Sequence, residues 1–192
     1  MHVGDSVHVL RPSLYAMSLI GSPAMIVETY AQIMADVTAP ALQWGQFKIA
    51  LGVIHCCSED DLSDVFGYFN EKGKYVRRLA SMNDVLPIAR CLMVHGVTGA
   101  QKPLPRRSDS DPEFVSEFVA SDHVATAVAH LGMSEREAWS ATMTSLVGAL
   151  RSKFPATEST SPGAKAPSKE EHEATEAWFA RIDEKRKKRT LH

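Results

Sequence analysis

The stretch from Leu131 to Pro155 constrains this chain most, because its residues specify a helix at both ends and along one side. Gly132 is suited to end a preceding helix, and Ser134 followed by Glu137 has the spacing of a capping box. Glu135 and Glu137 fall in the first turn and Arg151 and Lys153 in the last, the order that the helix dipole favours. Trp139, Met143, Leu146, Val147, Leu150 and Phe154 recur as one apolar stripe, and Pro155 marks the stop. The pattern predicts one continuous helix with a surface made to pack.

The 192 residues suffice for a medium domain with extensions. A formal charge of -2 argues against a nucleic-acid coat, which needs net positive charge to neutralise phosphates. Three cysteines, two of them adjacent, make no disulfide framework and point to a reducing compartment. No basic-then-apolar leader and no apolar run of membrane-spanning length is present, so a soluble cytosolic protein is expected.

Taken in order, Val3, Val7 and Val9 around Gly4-Asp5 suggest a small hairpin. Ser13 is placed to cap a helix over 14–20 ended by Gly21, and Ser22-Pro23 supplies the N-cap and first residue of the next. Residues 41–57 are apolar on most sides, as a central buried helix is. Ser58 ahead of Glu59, Asp60 and Asp61 predicts a further helix carrying Leu62, Val65, Phe66 and Phe69. The segment around Lys72, Gly73, Lys74, Arg77 and Arg78 reads as a solvated loop. Asp84 is the expected cap of a helix running to His95, with Pro87 in its first turn and Gly96 as its end. A loop follows to Ser110, and Asp111-Pro112-Glu113 opens a helix with Phe114, Val115, Phe118, Val119, Ala125 and Val128 facing inward. It hands over at Gly132 to the opening stretch. Residues 156–168 are rich in Pro, Ser, Thr, Gly and Ala and predict a disordered linker, followed over 169–192 by a charged helix and basic tail.

His55, Cys56, Cys57, Cys91 and His95 are the residue types of a zinc site, but they lie inside apolar helical patterns and are read as core packing. His123 and His130, seven apart, are read as surface histidines. No nucleophile elbow or phosphate-cradling loop occurs, so no enzyme, metal or cofactor is expected. Trp178 and Phe179 on a charged helix either dock back on the body or anchor a partner. The cluster Lys185, Arg186, Lys187, Lys188, Arg189 suits a solvated helix end, with nucleic acid or an acidic partner as the alternative.

Gly132, Met133, Ser134, Glu137, Ala138, Trp139 and Thr142 resemble a pattern in tail assembly chaperones of long-tailed bacteriophages. Members of that family often carry an acid three residues after the threonine; here Ser145 stands there. Leu10-Arg11-Pro12-Ser13, Ile20-Gly21-Ser22-Pro23, Cys56-Cys57 and the run from Ile88 to Gly99 look like a protein family found beside phage tail genes. The resemblance covers residues 10–155 in patches. It implies a non-catalytic chaperone in the host cytoplasm that binds the tape measure protein, helps gather tail tube protein, and is absent from the mature virion. Self-association is compatible with that role. A nucleic-acid-binding regulator and a structural tail subunit are the alternatives.

The expected fold is mainly α: a helical body over 1–100 with a small N-terminal β element, a helical pair over 111–155, then the linker and charged helix. The candidate partner-binding residues are Trp139, Met143, Leu146, Trp178, Phe179 and the five cations at 185–189. Trp139 and Met143 are expected to join the helical pair to the body.

Overall fold

Serine hydroxyls and prolines set where the first helices begin in the computed structural model, which describes residues 1–3, 6–101 and 115–155. The chain is mainly α-helical with a small N-terminal β element. In that element β1 (His2–Val3) and β2 (Ser6–Val7) pair antiparallel, with His2 opposite Val7. The expected Gly4-Asp5 turn lies outside the described residues. Ser13 Oγ accepts from the Ala16 N–H at 3.1 Å and starts α1 (Leu14–Ser18). Ser22 caps α2 (Pro23–Met34), whose first residue is the proline.

The central helix is α3 (Pro40–Cys56), which buries Phe47, Ala50, Leu51, Val53 and Ile54 and packs along α5 (Met82–Met93). Its one buried polar side chain ties it to the end of α2. Gln46 Nε2 lies 2.9, 3.2 and 2.8 Å from the carbonyls of Gln32, Ile33 and Ala35. Arg90 of α5 donates to the carbonyls of Ile33 and Ala35 at 3.0 and 3.1 Å. Carbonyls that the end of α2 leaves without intrahelical partners are thereby satisfied by neighbouring helices.

Between α3 and α5 the structure departs from the expected helix and loop. Ser58 bridges back to Leu10, and the short α4 (Ser63–Phe66) starts later, where Asp61 Oδ1 accepts from the Ser63 N–H at 2.9 Å. Phe69 belongs to a second hairpin, β3 (Tyr68–Phe69) against β4 (Tyr75–Val76), which occupies the predicted solvated loop. Asn70 Oδ1 holds its turn by accepting from the Lys72 and Lys74 amides at 3.1 and 2.9 Å. Gly67 enters the hairpin at φ 83°, where a Cβ would stand 2.3 Å from the Val76 carbonyl oxygen. Only glycine meets both conditions.

Ser81, rather than Asp84, is the N-cap of α5. The Asp84 carboxylate accepts from both the amide and the hydroxyl of Ser81, at 2.9 and 2.7 Å. Pro87 consequently falls in the second turn. The helix passes into a π-helical turn, Val94–Thr98, and ends at Gly99, so Gly96 is a buried interior residue and not a terminus. Residues 115–119 are not helical. Phe118 is buried, with its N–H on the Pro23 carbonyl at 3.0 Å, and α6 begins at Ala120 and runs to Thr126. Its inward face is Ala120, Val124 and Ala127, while Val115, Ala125 and Val128 are exposed. Asp111–Phe114 lie outside the described residues.

A second π-helical turn, Ala127–Leu131, closes at Gly132 in the left-handed conformation, as expected. The continuous helix predicted beyond it is instead two: α7 (Glu135–Ser140) and α8 (Met143–Lys153). The Ser134–Glu137 capping box opens the first. Thr142 opens the second, with Ser145 Oγ accepting from the Thr142 amide at 3.1 Å in place of an acid. The break frees the Ala141 carbonyl, which accepts from the Leu14 N–H at 2.9 Å. Residues 1–154 form one compact unit, with α1 packed on α6 and α7 and α8 packed on both π-helical turns. The predicted linker at 156–168 and charged segment at 169–192 lie outside the described residues. No helix among the described residues is long and apolar enough to cross a membrane.

Candidate functional site

The segment from Val9 to Ser13 is stitched on both sides. Arg11 N–H donates to the Cys57 carbonyl at 2.7 Å, and Ser13 bridges to Thr142. These bonds hold α1 between the end of α3 and the end of α7, and the remaining space is an open groove of about 960 Å³. Val7 and Val9 form one wall, Tyr15 of α1 and Leu19 at its C-cap a second, and Trp139 of α7 a third. Cys56, Cys57 and Ser58 lie at the end of α3 between them.

Burial on α1 explains the apolar surface. Leu14, Ala16 and Met17 fill the core, so Tyr15 and Leu19, one turn apart, must face outward. Those two, with Val7 and Val9, are each more than half exposed. Trp139 is half-buried, and its Nε1–H reaches Glu135 Oε1 at 3.3 Å. Charge in the groove is mixed: Arg11 and Arg136 face Glu59 and Asp60, and His8 Nδ1 lies 3.3 Å from Asp60 Oδ2.

The groove's polar groups are set for structure. Ser13 is committed to capping α1, and Ser58 both donates to the Asp60 carbonyl and accepts from its amide. Burial pushes the Cys57 thiol up to about 12 and raises Cys56 as well, so both stay protonated and weakly nucleophilic at neutral pH. The arrangement offers apolar contact, with scattered charges to orient what lies in it.

The predicted partner-binding residues separate. Trp139 faces the groove, whereas Met143 and Leu146 are buried in the core. Trp178, Phe179, Lys185, Arg186, Lys187, Lys188 and Arg189 lie outside the described residues. Of the cysteine and histidine cluster, Cys91 is exposed, Cys57 buried, and His95 Nδ1 lies 2.9 Å from Thr144 Oγ1. Among the described residues no group of three such ligands is placed to hold a metal ion. His123, expected at the surface, is half-buried against Phe118, with ring centroids 4.9 Å apart. Sequence reasoning missed Val7, Val9, Tyr15 and Leu19. Their signal was a surplus, since α1 is apolar nearly all round although too short to be enclosed.

Fold and groove together define a mainly helical body with an open, apolar recess at its N-terminal end. The chain belongs to a family of unknown function, DUF6246, which it matches over residues 43–174. No curated protein and no solved structure matches it. The matched residues include the Cys56–Asp60 and α7 portions of the groove, while Val7 to Leu19 precede them.

Proposed function

We propose that this chain is a non-catalytic bacteriophage tail assembly chaperone that holds an amphipathic helix of the tape measure protein in the groove between α1 and α7. The groove carries the reading: Val7, Val9, Tyr15, Leu19 and Trp139 present apolar surface to solvent around one recess. A helix laid there buries its stripe through shape and apolar contact, without a fixed set of hydrogen bonds. The pattern from Gly132 to Thr142 supports the partner's identity through its resemblance to tail assembly chaperones. On this reading the protein works in the host cytoplasm, promotes tail tube assembly and leaves before the virion matures.

Co-expression with the tape measure protein tests it. The tape measure protein should stay soluble with the wild-type chain and precipitate with a Val9→Asp, Leu19→Asp double variant. Both positions are exposed, so the variant should still fold. Equal solubility with and without the wild-type chain overturns the reading.

A further inference from the structure

The β3–β4 hairpin and the first turns of α3 carry a second surface, separate from the groove, and we propose that it binds single-stranded nucleic acid. Tyr68, beside Phe69 in the strand, points to the opposite face of the hairpin, beneath Arg78, so the exposed rings of this surface are Trp44 and Phe69, each more than a third exposed. They are held in place from beneath. Trp44 stacks on Phe47 at 5.3 Å and meets Phe69 and Tyr75 edge-on at 6.3 and 5.9 Å. The Tyr75 hydroxyl donates to the Phe66 carbonyl and ties the hairpin down.

Cations flank these rings along the chain. Lys48 follows Trp44 by one turn on the same helix face, Lys72 and Lys74 flank Gly73 at the hairpin tip, and Arg77 follows β4. All four are exposed, and none is in an ion pair among the described residues. Arg78 is engaged, 3.6 Å from Asp64 and 5.7 Å above the Tyr68 ring. Along residues 63–78 the acids are Asp64 and Glu71 against Lys72, Lys74, Arg77 and Arg78, so cations are in excess on this stretch despite the chain's net charge.

Two considerations choose the occupant. Lysine is depleted from protein–protein interfaces, whereas phosphates are neutralised by lysine and arginine. Rings set among cations serve unstacked bases, whose faces a duplex hides inside its own stack. A single strand can place bases against Trp44 and Phe69 while its phosphates follow Lys48, Lys72, Lys74 and Arg77.

The test is fluorescence anisotropy of a labelled oligo(dT) of about 15 nucleotides with the full chain. Four neutralised phosphates give a log–log salt slope of about -2.8, so affinity should fall about 50-fold between about 50 and about 200 mM salt. A Lys72→Glu, Lys74→Glu variant, changed only at the exposed tip, should lose about tenfold or more of the affinity. A chain with Lys185 to Arg189 all changed to Gln should keep hairpin-dependent binding. The proposal is overturned if the wild-type chain does not bind the oligonucleotide, which would leave a protein partner for this surface. It is also overturned if binding follows the 185–189 cluster and ignores the hairpin, or if a duplex of equal length competes equally well.

Discussion

The Leu14 N–H donates to the Ala141 carbonyl at 2.9 Å, so the first residue of α1 is bonded to the break between α7 and α8. In a continuous helix that carbonyl would face the amide of Ser145. Here the Ser145 amide turns to Thr142 Oγ1, at 3.2 Å, and the carbonyl is released to the other segment. The N-terminal and C-terminal parts of the body are joined by backbone as well as by side chains.

Thr142→Ala removes the cap that makes this exchange possible. It should cost about 1 kcal/mol, as loss of an N-cap threonine does. Urea denaturation measures the loss, and the Leu14 amide should exchange faster with solvent. Unchanged stability together with an unchanged Leu14 amide would contradict the role given to the break.

Gly96 lies against Met17: a Cβ there would be 2.5 Å from the Met17 sulfur, and Met17 is fully buried. Gly96→Ala should destabilise by about 1–3 kcal/mol through overpacking. Combined with Met17→Ala, the same step should cost less. A double-mutant cycle with no coupling would show that the strain lies elsewhere.

Leu146 and Trp139 should part company on truncation. Leu146→Ala empties a core site and should cost about 2–4 kcal/mol. Trp139→Ala, at a half-buried groove position, should cost less than half as much and impair partner binding instead. Chemical denaturation and co-purification with the tape measure protein measure the two effects. A larger stability loss for Trp139 would place it in the core.

The thiols should react in order of exposure. Cys91 is open to solvent, Cys56 half-buried, and Cys57 buried with its pKa pushed up to about 12. With a thiol reagent at about pH 8, Cys91 should be modified first and Cys57 last, or only on unfolding. Rapid labelling of all three in the folded protein would contradict the burial at the end of α3.

Acid should weaken the fold through its caps. Hydrogen bonds from Ser63, Ser81 and Ser134 hold Asp61, Asp84 and Glu137 below their ordinary carboxyl values. Each folded-state pKa lies below the unfolded one, so the stabilisation is present above the unfolded value of about 4. It is lost as pH falls through the folded values. Burial likewise lowers His123, so its contribution is present above its unfolded value of about 6.5 and is lost as pH falls through the folded one. Melting temperature should therefore fall from about pH 7 to about pH 3. The His123→Phe variant should flatten the upper part of the decline, and Ser81→Ala with Ser134→Ala the lower part.

Elements closed by their own neighbours were legible from residue order. Ser13, Ser22-Pro23, Ser134 with Glu137, and Gly132 act where their spacing placed them. The break at Ala141–Thr142 was not legible, because its partner is the distant amide of Leu14. The second hairpin was legible in part: Gly67 precedes, and Asn70 and Gly73 lie between, two aromatic-containing pairs, but the surrounding charges outweighed them. Neither π-helical turn has a local signature, and each is fitted against α8 by packing. The groove was hidden for the same reason, since only the assembled fold decides which side of α1 is left over.

The groove's lining comes from separated parts of the chain, Val7 to Leu19 with the first two walls, then Cys56 to Asp60 between them, then Arg136 to Ser140 with the third. During synthesis the third wall emerges long after the first two, so the recess comes into being only when the body has closed on itself. Partner capture through it would thereby report completed folding: a half-made chain displays Tyr15 and Leu19 but offers a client helix no cleft to enter.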